Sequence, residues 1–348
     1  MKVLITGSSG LVGSQAVEFY SQDNNEVIGI DNDMRSYFFG KEASTSSVMK
    51  HLEKKYPDNY VHFFIDIRDE DKIKELYRKK GPFDLIIHAA AQPSHDWAKK
   101  EPLTDFSINA TGTFILLENF RKYSPGACFI YVSSNKVYGD TPNRLPFIEN
   151  KTRYDLPKNH NYFKGIDESM SIDNSKHSLM GVSKLSADIM TQEYGKYFNL
   201  KTGVFRGGCI TGAAHSGAVL HGFLSYLVKC ILNEKQYTIF GYKGKQVRDN
   251  IHAYDLVNAF NHFYRNPRKG EVYNIGGSRH SNVSILEAIH KIEEMGGKKA
   301  KINLGDEARK GDHKWYISDV SKFKKHYPNW DYKFSMNDIL KDLVKNHT

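Results

Sequence analysis

The stretch Lys2-Val3-Leu4-Ile5-Thr6-Gly7-Ser8-Ser9-Gly10-Leu11-Val12-Gly13 decides how the rest of the chain is read. A short apolar run gives way to glycines at positions 7, 10 and 13, and an amphipathic segment, Leu11–Gln22, follows. Strand, glycine-rich turn and helix in that order make the phosphate-binding start of a βαβ unit. The glycines let the backbone turn tightly and approach a pyrophosphate, and the helix N-terminus offers free N–H groups and the positive end of its dipole. The next apolar run, Val27-Ile28-Gly29-Ile30-Asp31, ends in a carboxylate 18 positions after Gly13. An acidic side chain there accepts hydrogen bonds from adenosine ribose hydroxyls and repels a 2′-phosphate, which predicts NAD rather than NADP. Arg35, close in sequence, pulls the other way.

The alternation continues outward. Apolar runs at Tyr60–Asp66, Phe83–Ala91, Ala127–Ser134 and Lys201–Arg206 are separated by helix-like stretches at Asp69–Lys79, Pro102–Tyr123 and Leu179–Phe198. This predicts an α/β fold, a Rossmann-type doubly wound parallel sheet with a smaller C-terminal α/β substrate lobe. Two stretches interrupt the pattern. Asp33–Asn59 is polar and rich in Ser, Lys and aromatics, and reads as an insertion or long loop. Asp140–Lys176 reads as an excursion over the C-terminal edge of the sheet, where ligands of such folds bind. The expected organisation is an NAD-binding domain over 1–206, to which some later segments return, and a mainly substrate-binding lobe over 207–348, the two sharing a cleft. Gly207–His221 is expected to line the sugar or base, and Phe223–Leu232 reads as a helix whose aromatics are core.

With 348 residues the chain can bury a core without staples, and it has no apolar run approaching the ~20 residues a membrane span needs. The apolar N-terminal run is too short for a signal peptide, so a cytoplasmic protein without a membrane partner is expected. Cys128, Cys209 and Cys230 form no C-x-x-C, and the histidines show no H-E-x-x-H, so neither a disulfide framework nor a metal site is expected. The net charge of +9 admits nucleic acid, an anionic membrane surface or acidic small molecules. The motifs favour small anions, a dinucleotide pyrophosphate and a sugar diphosphate, over nucleic acid.

Further motifs extend along the chain: Asp66-Ile67-Arg68-Asp69, His88-Ala89-Ala90-Ala91, Asn109-Ala110-Thr111-Gly112-Thr113, Arg248-Asp249-Asn250-Ile251-His252 with Asp255, Tyr273-Asn274-Ile275-Gly276-Gly277, and Arg309-x-x-Asp312. With them the chain resembles the extended short-chain dehydrogenase/reductase superfamily, largely sugar-nucleotide epimerases and dehydratases, over almost its whole length. Within that superfamily it is most similar to the CDP-paratose 2-epimerases (CDP-tyvelose epimerases). That likeness rests on Ser133-Ser134-Asn135-Lys136-Val137-Tyr138-Gly139-Asp140, Gly244-Lys245-Gln246-Val247-Arg248-Asp249, Asp167-Glu168-Ser169 and His177-Ser178.

The resemblance implies NAD held by Gly7, Gly10, Leu11, Val12, Gly13, Asp31, Asn32, Asp66, Ile67, Ala89, Ala90, Ala91, Asn109 and Lys184. It implies a nucleotide-diphosphate sugar held by Gln92, Asn135, Lys136, His177, Arg248 and Arg309, and a homodimer that pairs Pro102–Tyr123 and Leu179–Phe198 into a four-helix bundle. The implied reaction is epimerisation by transient hydride transfer to NAD, at C2 of a CDP-deoxyhexose.

One position departs from the family. Where its active-site helix reads Y-G-x-S-K, this chain reads Met180-Gly181-Val182-Ser183-Lys184. A thioether cannot transfer a proton. Ser134 and Lys184 still fill two of the three catalytic roles, and Lys136 is the first candidate for the missing base. Tyr162, Asp167, Glu168 and His177 rank lower, and His215, His221 and His252 read as polar lining or surface. Two alternatives stay open. A 4,6-dehydratase-like enzyme using Lys136 is weakened because Asn135-Lys136 stands where the superfamily's dehydratases carry Asp-Glu. A non-catalytic NAD- or sugar-nucleotide-binding protein is favoured by the missing tyrosine.

Overall fold

A computed structural model of the chain describes residues 1–212, 222–305, 308 and 311–347. Arg309, His215, His221 and most of the glycine-rich stretch before Gly222 lie outside them. The chain divides into two compact units, Met1–Val137 with Leu179–Arg206 and Val257–Tyr273, and Tyr138–Ser178 with Gly207–Leu256 and Asn274–Thr348. Asp140–Lys176, read from sequence as an excursion from the first sheet, thus clusters with the second unit.

The main sheet has seven strands in the order Glu271–Ile275, Lys201–Gly207, Cys128–Ser134, Leu85–His88, Lys2–Thr6, Glu26–Asp31 and Tyr60–Phe64. It is a parallel Rossmann-like sheet with flanking helices. The reason is visible in burial. Val3, Leu4, Ile5, Val27, Ile28, Ile30, Leu85, Ile86 and Ile87 are all fully buried. Near-continuous apolar strands of this kind are stable only when helices cover both faces. Lys2–Thr6 pairs with Glu26–Asp31 on one side and Leu85–His88 on the other. The strand order therefore reverses at Lys2–Thr6, and the crevice at its C-terminal end is where such sheets bind ligands.

Two helical expectations need correction. Asp33–Asn59 is not a loop: it contains helices Met34–Phe39 and Ser46–Lys55. Asp33, in the left-handed region at φ 52°, makes this possible. Its carboxylate accepts from Ser44 Oγ at 2.6 Å, Thr45 N at 2.8 Å and Ser46 Oγ at 3.1 Å, which fixes the start of the second helix. Pro102–Tyr123 is not one regular helix, because a wider π-helical turn at Ser107–Thr111 separates Pro102–Phe106 from Gly112–Tyr123.

The second unit has its own core. Leu224, Leu227, Val228 and Ile231 of helix Phe223–Leu232 pack with Ile239, Ile292, Ile339 and Leu340. Strand Val247–His252 pairs antiparallel with Asn282–Ser284 and parallel with Trp315–Tyr316 and Cys209–Thr211.

A buried ion pair locks the first unit. Arg206 donates from Nε and Nη2 to the two carboxylate oxygens of Asp188, both at 3.0 Å, and Ser133 Oγ donates to Asp188 at 2.6 Å. Side-chain exposures are 5% and 0% for Arg206 and Asp188. Removing one partner of such a pair leaves a desolvated charge and costs about 3–5 kcal/mol. Arg206→Met is expected to lose that much in urea unfolding, and Arg206→Met with Asp188→Leu to recover most of it.

Candidate functional site

The first turn is built around glycine. Gly7 has φ 68°, and a Cβ there would lie 2.8 Å from the backbone of Ala90. A Cβ on Gly13 would lie 2.0 Å from the carbonyl oxygen of Gly7. Gly10 precedes helix Leu11–Ser21 and supplies no side-chain cap, so the first-turn N–H groups of Leu11, Val12 and Gly13 are open to an anion. Ser9 Oγ is buried with no hydrogen-bond partner among the described residues. A cradle that excludes Cβ atoms, a helix N-terminus and an orphaned hydroxyl fit a dinucleotide pyrophosphate. Ala89 and Ala90 are held beside it, their N–H groups donating to Thr6 O and Thr6 Oγ1, both at 3.2 Å, and Ala91 follows, half-buried.

At the end of the second strand, Asp31 accepts from Ser9 N at 3.1 Å and Asp33 N at 2.8 Å. Burial pushes its pKa up, and the two N–H groups oppose that without cancelling it. Asn32 Nδ2 donates to Asp66 at 2.9 Å, and Arg68 grips the same carboxylate with Nε at 2.9 Å and Nη2 at 2.6 Å. Burial works to raise Asp66, but Arg68 outweighs it and holds the carboxyl below its usual range. The side chain of Ile67 is buried against Gly112, where a Cβ would meet its Cδ1 at 2.7 Å.

At the other end of the loop, strand Cys128–Ser134 runs into the turn Asn135–Tyr138. Ser134 Oγ accepts from Lys136 N at 3.2 Å and lies 3.5 Å from Asn135 Oδ1. Helix Leu179–Tyr197 packs against this strand and carries Met180 and Lys184 one turn apart on one face. Both are buried, Met180 at 5% and Lys184 at 6% exposure. Lys184 Nζ donates to Val132 O at 2.8 Å and stands 4.3 Å over the Tyr131 ring. Burial pulls its pKa down to about 7, against the nearby carboxylates of Asp188 and Asp105.

Asn109 and Gln92 are joined in one hydrogen-bond network within the first unit. Asn109 Oδ1 accepts from Gln92 N at 2.9 Å, and its Nδ2 lies 3.0 to 3.1 Å from Gln92 O, Ser183 Oγ and Asp105 Oδ1. Gln92 Nε2 donates to Asp105 at 2.7 Å and Ser94 O at 2.9 Å. Both amides are only 1% exposed and fully engaged. They hold the loop after Leu85–His88 in place. Asp105, Ser183, Asp188 and Arg206 complete these networks and were missed from sequence. The i, i+4 spacing of Asp188 after Lys184 was the only signal available.

In the second unit, Arg248 is buried and paired through Nη2 with Asp312, while its Nη1 donates to Val247 O at 2.8 Å. His177 is tied through Nε2 to Ile172 O at 2.8 Å. Glu168 accepts from Asn274 N at 2.6 Å, and Asp167 accepts from Ser169 N at 2.9 Å. Tyr162 N donates to His160 Nδ1 at 3.1 Å, and His252 stacks on Phe334 at 3.9 Å. No cluster of three or more potential metal ligands occurs among the described residues. None of the described helices is long and apolar enough to cross a membrane.

Residues 3–276 match the NAD dependent epimerase/dehydratase family. The chain is 31% identical to CDP-paratose 2-epimerase of Salmonella typhi, covering 99% of this chain and 98% of that protein. It is 26% identical to dTDP-glucose 4,6-dehydratase of Escherichia coli, over 84% of this chain and 76% of that one. Among solved structures, UDP-glucuronic acid 4-epimerase from Bacillus cereus, in complex with UDP-glucuronic acid and NAD, superposes with a TM-score of 0.79 at 23% identity, covering 99% and 98%.

Two outcomes follow from this geometry. Gly13→Ala is expected to weaken NAD binding more than 100-fold by calorimetry, whereas Gly126→Ala, whose Cβ meets nothing within 4 Å, leaves it unchanged. Lys184 has a folded pKa of about 7 against 10.5 for the free side chain. Between those values the unfolded chain binds more protons, so this group makes stability rise with pH across the window and gives its full penalty below it. Urea unfolding at pH 7.0 and 9.5 should show that gain in the wild type and a smaller one in Lys184→Met.

Proposed function

Because the chain belongs to the NAD dependent epimerase/dehydratase family, we propose that it is a nucleotide-sugar epimerase that inverts C2 of a CDP-deoxyhexose. The end-to-end likeness to CDP-paratose 2-epimerase carries this reading, since it covers both units rather than the NAD-binding half alone. When bound, NAD supplies a reversible electron-pair acceptor for a carbinol carbon.

In this reading the first-turn N–H groups of Leu11–Gly13 hold the pyrophosphate, Asp31 the adenosine ribose, and Asn32 and Asp66 the adenine side. Ser134, at the end of its strand, orients the reacting oxygen by hydrogen bond. Lys184 places positive potential beneath it and is poised to exchange a proton near neutrality. Met180 gives nothing to proton transfer, so the base falls to Lys136, two residues beyond Ser134. The guanidinium of Arg248, held planar and oriented by Asp312, suits a sugar diphosphate. Met180 also favours a second reading, a protein that binds NAD and sugar nucleotide without turnover.

A second copy of the chain is part of the proposal. Leu103, Phe106, Phe114, Val182, Ile189 and Met190, on helices that pack in one unit, are all exposed large hydrophobics. Apolar patches of this kind mark protein contacts. Ile189→Glu is expected to convert a dimer to a monomer in sedimentation.

The reaction is tested by incubating purified protein with CDP-, GDP-, UDP- and dTDP-sugars in heavy water. A new C2 epimer of a CDP-sugar without solvent deuterium on carbon is expected. Deuterium on carbon would point instead to enolisation or dehydration. An absence of turnover, with activity gained in Met180→Tyr, would make this a lapsed enzyme. Lys136→Ala should cut kcat by about 10²–10⁴ with little change in KM. An unchanged kcat would remove Lys136 from the role of base.

A further inference from the structure

The segment Gly241-Tyr242-Lys243-Gly244 has positive φ at all four residues: 65°, 53°, 53° and 76°. Glycine adopts this region freely, but Tyr and Lys carry a Cβ that clashes there. Two consecutive non-glycine residues in the left-handed region are strained, and such strain persists only where the surroundings impose it, often at ligand clamps. The surroundings do impose it here. A Cβ on Gly241 would lie 2.6 Å from the backbone of Ala308. Lys245 N donates to Tyr242 O at 2.9 Å, Lys245 O accepts from Tyr154 N at 3.0 Å, and Lys245 Nζ reaches Glu149 at 2.7 Å.

Three features show what the strained turn presents. The Tyr242 side chain is half-buried. Burial raises its pKa, Asp312 adds to the rise and Arg248 opposes it, so the phenol lies within electrostatic reach of that buried pair. Gln246 shares a face with Arg248 by the two-residue period of an extended chain. It is 4% exposed, and its Nε2 donates to Phe240 O at 3.4 Å while its Oε1 has no partner among the described residues. An arginine fork, an unsatisfied buried carbonyl and a half-buried phenol thus belong to one short segment.

We infer that Tyr242 is a binding residue for the nucleoside diphosphate end of the substrate, held over the Arg248–Asp312 pair by a turn strained for that purpose. The ring offers a stacking face and the hydroxyl a donor, while the guanidinium answers the phosphates. The inference rests on the nucleotide-sugar reading above and adds to it a residue that sets affinity for the nucleotide rather than the sugar.

The test is calorimetry of CDP on the NAD-loaded protein, with UDP, GDP and dTDP alongside, together with thermal unfolding. Tyr242→Gly is expected to raise Tm, because it relieves the strain, yet weaken CDP binding at least tenfold with NAD affinity unchanged. A tyrosine serving only the fold would give the opposite pair, a lower Tm with CDP binding kept. Lys243→Gly is expected to raise Tm and keep CDP binding within about twofold. Binding of CDP by Tyr242→Gly within twofold of wild type would overturn the inference while leaving the nucleotide-sugar reading standing. So would a Lys243→Gly whose Tm does not rise. Failure of the wild type to bind any of the four nucleotides would sink both.

Discussion

The buried pairing of Arg206 with Asp188 is the constraint on which the first unit's chemistry depends. Asp188 sits on the helix that carries Met180 and Lys184, Ser133 on the strand that ends in Ser134, and Arg206 on the neighbouring strand. One carboxylate therefore fixes the helix against two strands. Hydrogen bonds to Ser133 and Gln192 fill its remaining acceptor positions, which is what makes a desolvated carboxylate tolerable. The second tie, from Ser183 through Asn109 to Gln92, anchors the same helix to the loop after Leu85–His88. Without these ties Ser134 and Lys184 would have no fixed relation.

The same burial sets the electrostatics. His88 is clamped between Thr6 Oγ1 at 2.7 Å and Thr113 Oγ1 at 2.8 Å, and burial drops its pKa to about 3. It is a neutral core connector, not an acid or base. Lys184 feels the attraction of two carboxylates, Asp188 and Asp105, and still falls to about 7, because desolvation outweighs it. The chain's net charge of +9 has little to do with either group. Cations such as Arg78-Lys79-Lys80 and Lys99-Lys100 stand in the last turns of helices, where they face the negative end of a helix dipole.

What the sequence revealed follows the range of its signals. Glycine spacing and apolar runs are local, so the first turn, the strands through Lys201–Gly207 and the helix Leu179–Tyr197 could be read to within three residues at each end. Asp33–Asn59 could not. Its helices are short, and the start of the second is fixed by one carboxylate, Asp33, that reaches 11 to 13 residues ahead to Ser44, Thr45 and Ser46. Gln92 and Asn109 were assigned to ligands from the resemblance to the family's motifs, which carries no information on their partners within the fold. Their partners, Asp105 and Ser183, come from two other helices, and only tertiary structure brings the four together.

The methionine at position 180 changes the meaning of the lysine beside it. A phenol one turn before Lys184 would supply a polar neighbour and a hydroxyl to share its proton. A thioether offers only a weak acceptor and otherwise apolar surface, and Met180 and Lys184 are both buried. Burial pulls the ammonium's pKa down to about 7 against the attraction of Asp188 and Asp105. With methionine at position 180, the titratable group one turn along the helix is the Lys184 amine, whose pKa falls to about 7, on a helix anchored by Asp188 to the strand that ends in Ser134.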